Sequence, residues 1–242
     1  MFEGTRDWLD GAEAVADPDV EIFFATQHTV YVGDPNDPDQ IGDPRFEVPV
    51  PAPAIGDGTT IALSTQAVFG REEALAAHYR AVVEQATAAG KSFDDIRTHF
   101  WMRLWVKWEG NHLSFPWYDS WKEMDNFLGW LLLAEDEGDW WDVEEGWELA
   151  AVRKGSRFYF RQWDGDGEPY VVVSMDREAL LAKVRALRGR ILPIIEELTS
   201  LLGADVWTSY SYDDVDFGTD DWRPGATKRT PTGSWSRLWK RR

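Results

Sequence analysis

The residues best suited to chemistry lie in segment 117–148. This segment contains six Trp residues, and its part from 119 to 148 holds eleven acidic residues and a single Lys, a net charge of −10. Indole rings offer large contact areas and recur in binding hot spots, and carboxylates pair with Arg and Lys. The composition therefore predicts a surface that binds a basic protein partner. The residues predicted to contact this partner are Trp140, Trp141, Asp142, Glu144, Glu145, Trp147 and Glu148.

Two other interpretations of this cluster stay open. Most of its Trp residues would be core residues if they lie on the buried sides of strands and helices. Alternatively, the rings would stack on a sugar or a cationic ligand, while carboxylates bind its polar groups or act as an acid and base pair. The carboxylates available for such a pocket are Asp142, Glu144, Glu145 and Glu148. The exposure of the Trp rings separates these interpretations.

The four His residues are the other candidates for chemistry. His99 and His112 are expected to face each other across a hairpin, either as a metal or acid–base pair or, as we favour, as ordinary strand residues. The acidic segment 164–168 lacks the ligand spacing of a calcium loop and predicts a turn. The chain has no Cys, which excludes thiolate metal sites and a cysteine nucleophile. No catalytic motif is present, so we predict no cofactor and no metal, and the sequence specifies no reaction.

The C-terminal residues differ in charge from the rest of the chain. Residues 223–242 contain seven basic and no acidic residues, whereas residues 1–222 carry a net charge of −25. Such an acidic body repels nucleic acid and attracts basic partners. The basic tail would dock on nucleic acid, on an anionic surface or on the acidic body itself, or would serve only solubility. Its candidate docking residues are Trp235, Arg237, Trp239, Lys240, Arg241 and Arg242.

Length and hydropathy limit the classes of protein to which the chain can belong. The chain has 242 residues, of which 43% are hydrophobic, so it can bury a core. Its first residues lack the basic and apolar regions of a secretory signal, and its longest strongly apolar stretch, residues 130–134, is far too short to span a membrane. We therefore expect a cytoplasmic protein without membrane contact. Eighteen Arg against seven Lys residues suggest a bacterial source.

Apolar spacing predicts three helices that would position these residues. Residues 71–89 place Leu75, Tyr79 and Val82 on one stripe, and residues 120–135 and 177–202 show the same period. Asp176 is suited to cap the last helix and Gly203 to end it. A shorter helical turn is predicted at 92–95 from its capping-box pattern.

Strand patterns are found between these helices. Residues 99–109 alternate in polarity, and the turn at Gly110 and Asn111 predicts a hairpin with residues 112–115. Segment 140–147 is expected to be a loop that leads into a three-strand meander. The meander strands are 147–152, 157–163 and 169–175, and further strands are predicted at 20–32, 46–48 and 59–64.

Together, these helices and strands predict an α+β fold. We expect an antiparallel sheet of hairpins and a meander, covered by two or three helices, and a flexible basic tail. We expect residues 1–94 to complete the same sheet or to form a second lobe, residues 95–210 to form the core unit, and residues 211–242 to be an acidic linker and the tail. The function expected from this surface is an inhibitor of the immunity or antitoxin type that covers a basic effector. The alternative is a hydrolase or binding protein for a carbohydrate or a cationic small molecule. The oligomeric state is not predicted.

Overall fold

A computed structural model describes residues 6–34, 36–56, 61–144, 146–164 and 171–209. These residues form an α+β fold of mostly antiparallel sheets and helices, which confirms the predicted fold class. The strands are β1 (Glu13–Val15), β2 (Asp19–Ala25), β3 (Thr29–Tyr31), β4 (Glu47–Pro49), β5 (Ala62–Ser64), β6 (Met102–Trp108), β7 (Asn111–Ser114), β8 (Glu137–Glu144), β9 (Trp147–Lys154), β10 (Arg157–Asp164) and β11 (Val171–Asp176). The helices are α1 (Thr65–Val68), α2 (Glu72–Ala88), α3 (Phe93–Ile96), α4 (Trp121–Leu131) and α5 (Arg177–Leu202).

The larger sheet has five strands in the order β1-β11-β10-β9-β8. Its pairs are antiparallel except for β1, which runs parallel to β11. The predicted meander is β9, β10 and β11. The loop predicted at 140–147 is wrong, because β8 pairs with β9 along its whole length. Gly146, at φ 92°, provides the left-handed backbone of the turn that joins them.

The second sheet has four strands in the order β5-β2-β6-β7. The alternation predicted for β6 is confirmed, since Met102, Leu104 and Val106 are fully buried while the residues between them are partly exposed. β2 pairs with the other side of β6, and β3 and β4 form a separate two-stranded sheet. The chain thus builds two main sheets rather than the single predicted sheet.

The predicted facing of His99 and His112 is wrong. His99 lies in a 3-10 helix, Arg97–Phe100, that precedes β6, and its side chain is buried. His112 lies on β7, where its β6 partner is Lys107. The strand starts three residues later than its polarity pattern indicates, because residues 97–100 turn instead of extending.

Helices close the cores of both sheets. Helix α5 packs against α2, against β2 of one sheet and against β11 of the other. Its caps are as predicted, because the Asp176 side chain accepts a hydrogen bond from the Ala179 backbone and Gly203 has a φ of 74°. Helix α4 begins at a capping box in which Ser120 and Glu123 exchange hydrogen bonds. In the described part of the chain, no helix is both long and apolar enough to cross a membrane.

A buried glutamine joins the two sheets. Gln162 of β10 donates from Nε2 to the Ser114 carbonyl, and its Oε1 accepts from the Ser114 backbone N–H at 3.2 Å. These bonds satisfy both backbone groups of a β7 residue with a side chain from the other sheet. The five-stranded sheet is therefore fixed against the four-stranded one at this point.

Candidate partner-binding site

The β8–β9 hairpin places its Trp residues on opposite sides of the five-stranded sheet. Trp140 points inward, where its ring centre lies 5.7 Å from that of Phe127 and 6.0 Å from that of Trp130. Trp147 also points inward and is 3% exposed. Trp141 points to the outer face, because neighbouring residues of a strand alternate between faces. Trp140 and Trp147 therefore belong to the core packing.

The outer side of the hairpin exposes apolar groups beside carboxylates. Trp141 is 51% exposed and Val143 is 49% exposed. Trp141 Nε1 donates a hydrogen bond of 2.6 Å to Glu148 Oε1. In the strand register Glu148 lies opposite Val143 on one side and opposite Trp163 on the other. We call Trp141, Val143, Glu148 and Trp163 of the outer face, together with Glu144, the hairpin patch. Glu144 alternates to the other face, but it is exposed because it lies at the hairpin end.

Some carboxylates around this patch form ion pairs with Arg residues of the protein, and others do not. Three acidic residues before and on the first half of β8 form ion pairs with Arg residues. These pairs are Glu135 with Arg153, Asp136 with Arg177 and Asp139 with Arg6. Among the described residues, Glu144 and Glu148 have no cation within ion-pair distance. Glu137, at the start of β8, also has no ion pair in this part of the chain, so the hairpin end provides two of the three carboxylates of β8 and β9 that are left for an external cation.

Asp142 is committed to the interior. It accepts a 2.6 Å hydrogen bond from the Tyr118 hydroxyl, which lies under the sheet. Burial raises the pKa of Tyr118 well above its usual value, and the adjacent Asp142 carboxylate raises it further. The phenol therefore stays protonated and holds Asp142 in place. A partner on the outer face would not contact this carboxylate.

A buried arginine fixes β8 onto the rest of the fold. Arg153 is 2% exposed, and its guanidinium donates to the carbonyls of Trp130 and Glu137 at 2.9 and 3.2 Å. A side chain at Gly138 would lie 2.7 Å from this guanidinium, so glycine is needed there for close approach. Arg153 therefore connects the end of α4 with the start of β8, which makes the hairpin a rigid support for Trp141.

The patch is bordered by the N-terminal 3-10 helix, Arg6–Gly11, which crosses the outer face of the sheet. Its Trp8 ring lies 5.3 Å from the Arg161 guanidinium, which in turn lies 4.6 Å from the Trp163 ring. Sequence reasoning missed Val143 and Trp163. Val143 could have been found from the alternation with Trp141, but Trp163 required the register of β9 and β10.

The outer face of the four-stranded sheet carries a second aromatic group of different character. The Lys107 ammonium lies 4.2 Å from the Phe23 ring centre and 4.4 Å from that of Trp105. The His112 ring stacks on Trp105 at 5.0 Å. Trp105, Lys107 and His112 border an open groove of about 430 Å³, which Asp17 and Asp19 also line. Here the protein supplies its own cation to the aromatic rings.

Histidines are buried beneath the four-stranded sheet. Burial, together with the neighbouring His78, lowers the pKa of His99 to about 4. Burial also lowers the pKa of His78, whose Nδ1–H donates to the Pro51 carbonyl at 2.8 Å. In the described part of the chain, no group of three or more His, Cys, Asp or Glu residues is placed to hold a metal ion. The geometry therefore favours neutral core histidines.

The seven residues predicted to contact a partner are thus divided by the fold. Trp141, Glu144 and Glu148 are accessible on the hairpin patch, whereas Trp140, Asp142 and Trp147 face inward. The predictions for Glu145 and for the six tail residues lie outside the described residues. Comparison of the chain with family models, with curated proteins and with solved structures gives no match.

Proposed function

We propose that this chain is a non-enzymatic, cytoplasmic bacterial binding module of the immunity or antitoxin type, and that its hairpin patch covers a basic effector protein. The observation that supports the proposal most is the half-exposed pair of Trp141 and Val143 beside Glu144 and Glu148. Large apolar groups in water next to unneutralised carboxylates suit a partner that offers apolar contact and Arg or Lys side chains.

The hydrogen bond between Trp141 and Glu148 supports this proposal further. It fixes the indole in one orientation, so less side-chain freedom is lost when a partner covers the ring. Because the residue is 51% exposed, an Arg side chain of a partner can contact the ring. The net charge of −18 would speed the approach of a basic protein, and the aromatic contact would slow its release.

The alternative, a hydrolase or binding protein for a carbohydrate or a cationic small molecule, has less support. A pocket that combines Trp140, Trp141 and Trp147 conflicts with the alternation of the strands, because Trp141 lies on the face opposite the other two. Its acid and base would be Glu144 and Glu148, and neither carboxyl group is buried. This function remains a second proposal for the hairpin patch.

Capture from lysate of the source organism tests the proposal. Three forms of the full chain are compared: the wild type, the patch variant Trp141→Ala/Glu144→Lys/Glu148→Lys, and the control Glu84→Lys/Glu197→Lys. The control makes the same charge change at exposed positions of α2 and α5. We expect one basic protein to be retained in stoichiometric amount by the wild type and the control, and to be lost from the patch variant.

Two results would contradict the proposal. Equal retention of the basic protein by all three forms would remove the hairpin patch as the binding site. Retention of no basic protein by the wild type at low salt would remove the binding function, and Trp fluorescence titration with sugars and organic cations would then test the alternative. Co-expression adds a functional test, because the wild type should relieve the toxicity of the captured protein and the patch variant should not.

A further inference from the structure

The hairpin patch and the C-terminal segment of the same chain have opposite charges. Residues 223–242 contain seven basic and no acidic residues, and this segment includes Trp235 and Trp239. On the patch, Glu144 and Glu148 have no ion-pair partner among the described residues, whereas Glu135, Asp136 and Asp139, nearer the start of β8, are paired with Arg. Two carboxylates without an ion pair in the described part of the chain therefore occur in the same chain as a segment with an excess of cations.

The path of the chain brings this segment within reach of the patch. Trp207, near the end of the described residues, is buried, and its carbonyl accepts a 2.7 Å hydrogen bond from the Trp121 backbone N–H. Tyr118, three residues earlier, bonds to Asp142 of β8. The chain thus leaves the core close to the hairpin. The stretch from residue 209 to residue 234 can span up to about 80 Å, at roughly 3.3 Å per residue.

The position of β8 in the sheet suits an added strand. Within the described residues β8 forms one edge of the five-stranded sheet. An extended segment can pair with such an edge while its alternate side chains reach one face. In extended form, Trp235, Arg237, Trp239 and Arg241 would share one face, because they are two residues apart. That face would bring two rings and two guanidinium groups to Trp141 and the carboxylates.

We propose that residues 234–242 dock along β8 on the hairpin patch of their own chain and occupy it when no partner is bound. A local concentration in the millimolar range, typical of a short intramolecular connection, would favour this contact over a second molecule. The consequence rests on the proposed function: a basic effector would have to displace the tail before it could bind. The tail would then select for partners that bind the patch more tightly than the tail does.

The absence of Cys from the chain allows a direct test by disulfide trapping in the full-length protein. One variant combines Val143→Cys with Arg237→Cys, because both positions lie on the outer face in the proposed pairing. The matched control combines Glu84→Cys on α2 with Arg237→Cys. This control position is also exposed. It lies on the helix that is near the point where the chain leaves the core, because the ring of Tyr79 on α2 lies 5.7 Å from that of Trp207. Both are oxidised at low protein concentration and followed on non-reducing gels and by mass.

We expect the intramolecular disulfide to form about tenfold faster at Val143 than at Glu84. The difference should shrink at about 1 M salt, where the Debye length is about 3 Å. It should also shrink when Lys240→Glu and Arg241→Glu are added. Equal rates at the two positions would overturn the proposal, and so would disulfides formed mainly between molecules. Because no partner is present, failure here leaves the proposed effector binding standing, and failure of the capture experiment leaves the tail contact standing.

Discussion

The outer faces of the two sheets both present Trp and charged side chains, but in opposite arrangements. On the four-stranded sheet, Trp105 is covered by Lys107 from its own strand and by His112 from the next. On the five-stranded sheet, Trp141 is half exposed and hydrogen-bonded to Glu148. The first face places its internal cation over Trp105, whereas on the second face the internal cation, Arg161, lies beside Trp8 and Trp163 and the half-exposed Trp141 is bound to a carboxylate.

This difference shows why the number of Trp residues alone does not define a binding site. Trp105 already has the cation–π contact that an external Arg or Lys would offer, so a partner gains little there. Trp141 is half exposed, its β9 neighbour is the small Ala150, and its indole N–H is bound to the Glu148 carboxylate. The outer hairpin therefore keeps its capacity for a cationic partner, and the following changes test this contrast.

Removing an inward Trp should have the largest effect on stability. Trp147→Ala should lower the free energy of unfolding by about 3–5 kcal/mol, because it removes a buried ring and leaves a cavity. Trp141→Ala should lower it by less than about 1 kcal/mol, because half of that ring is already in water. Urea unfolding of both variants measures the two values, and similar losses would contradict the division of the hairpin into core and patch.

Acid should destabilise the half of the molecule that contains the four-stranded sheet. The folded-state pKa of His99 is about 4, below its unfolded value near 6.5, and that of His78 is also lowered. The unfolded chain therefore binds protons first, and stability that is complete above pH 6.5 is lost as the pH falls toward 4. The loss attributable to His99 should be about 3 kcal/mol.

Unfolding measured by urea between pH 7 and pH 4.5 checks this prediction. The variant His99→Gln should show a smaller fall in stability over this range than the wild type. The control His112→Gln, at an exposed position on β7, should show the wild-type fall. A wild-type slope in His99→Gln would show that the acid sensitivity has another origin.

Removing the internal cation should have a smaller effect. Lys107→Met should lower the free energy of unfolding by about 0.5–1 kcal/mol, because the ammonium lies over two rings. Lys154→Met, at an exposed site of β9, serves as the control and should change stability by less. Thermal unfolding measures both variants. Equal changes would mean that the covered Trp105 gains nothing from Lys107.

The smallest effect on stability is expected at the patch carboxylate. Glu148→Gln keeps an oxygen that can accept the hydrogen bond from Trp141 but removes the charge, so stability should change by less than about 0.5 kcal/mol. Association with the captured basic protein should slow several-fold at low salt and little at high salt. An unchanged association rate at low salt would show that the charge of Glu148 does not attract the partner.

Much of the fold could be predicted from local patterns. The bounds of α5 and both of its caps agree with the sequence prediction, because an acidic N-cap and a C-terminal glycine satisfy the helix ends locally. The alternation of β6 is confirmed for the same reason, since its buried face is visible in the chain itself. Such elements can be predicted from their own residues, without knowing which distant residues they pack against.

The rest depended on pairing between distant residues. Strand β8 was missed because its acidic, Trp-containing sequence is poor in β-branched residues, and only pairing with β9 makes it a strand. The parallel pairing of β1 with β11 joins residues far apart in the chain, which no local pattern indicates. For the same reason the sequence prediction, which names Trp140, Trp141 and Trp147 together, did not show which of these Trp residues face inward.

The most direct test of the central claim is amide hydrogen exchange of the full chain with and without the captured basic protein. The account predicts slower exchange at residues 139–149 of the β8–β9 hairpin in the complex, with β6 and β7 unchanged. Protection confined to β6 and β7, with the hairpin unaffected, would contradict it and would move the binding site to the face where Lys107 covers Trp105.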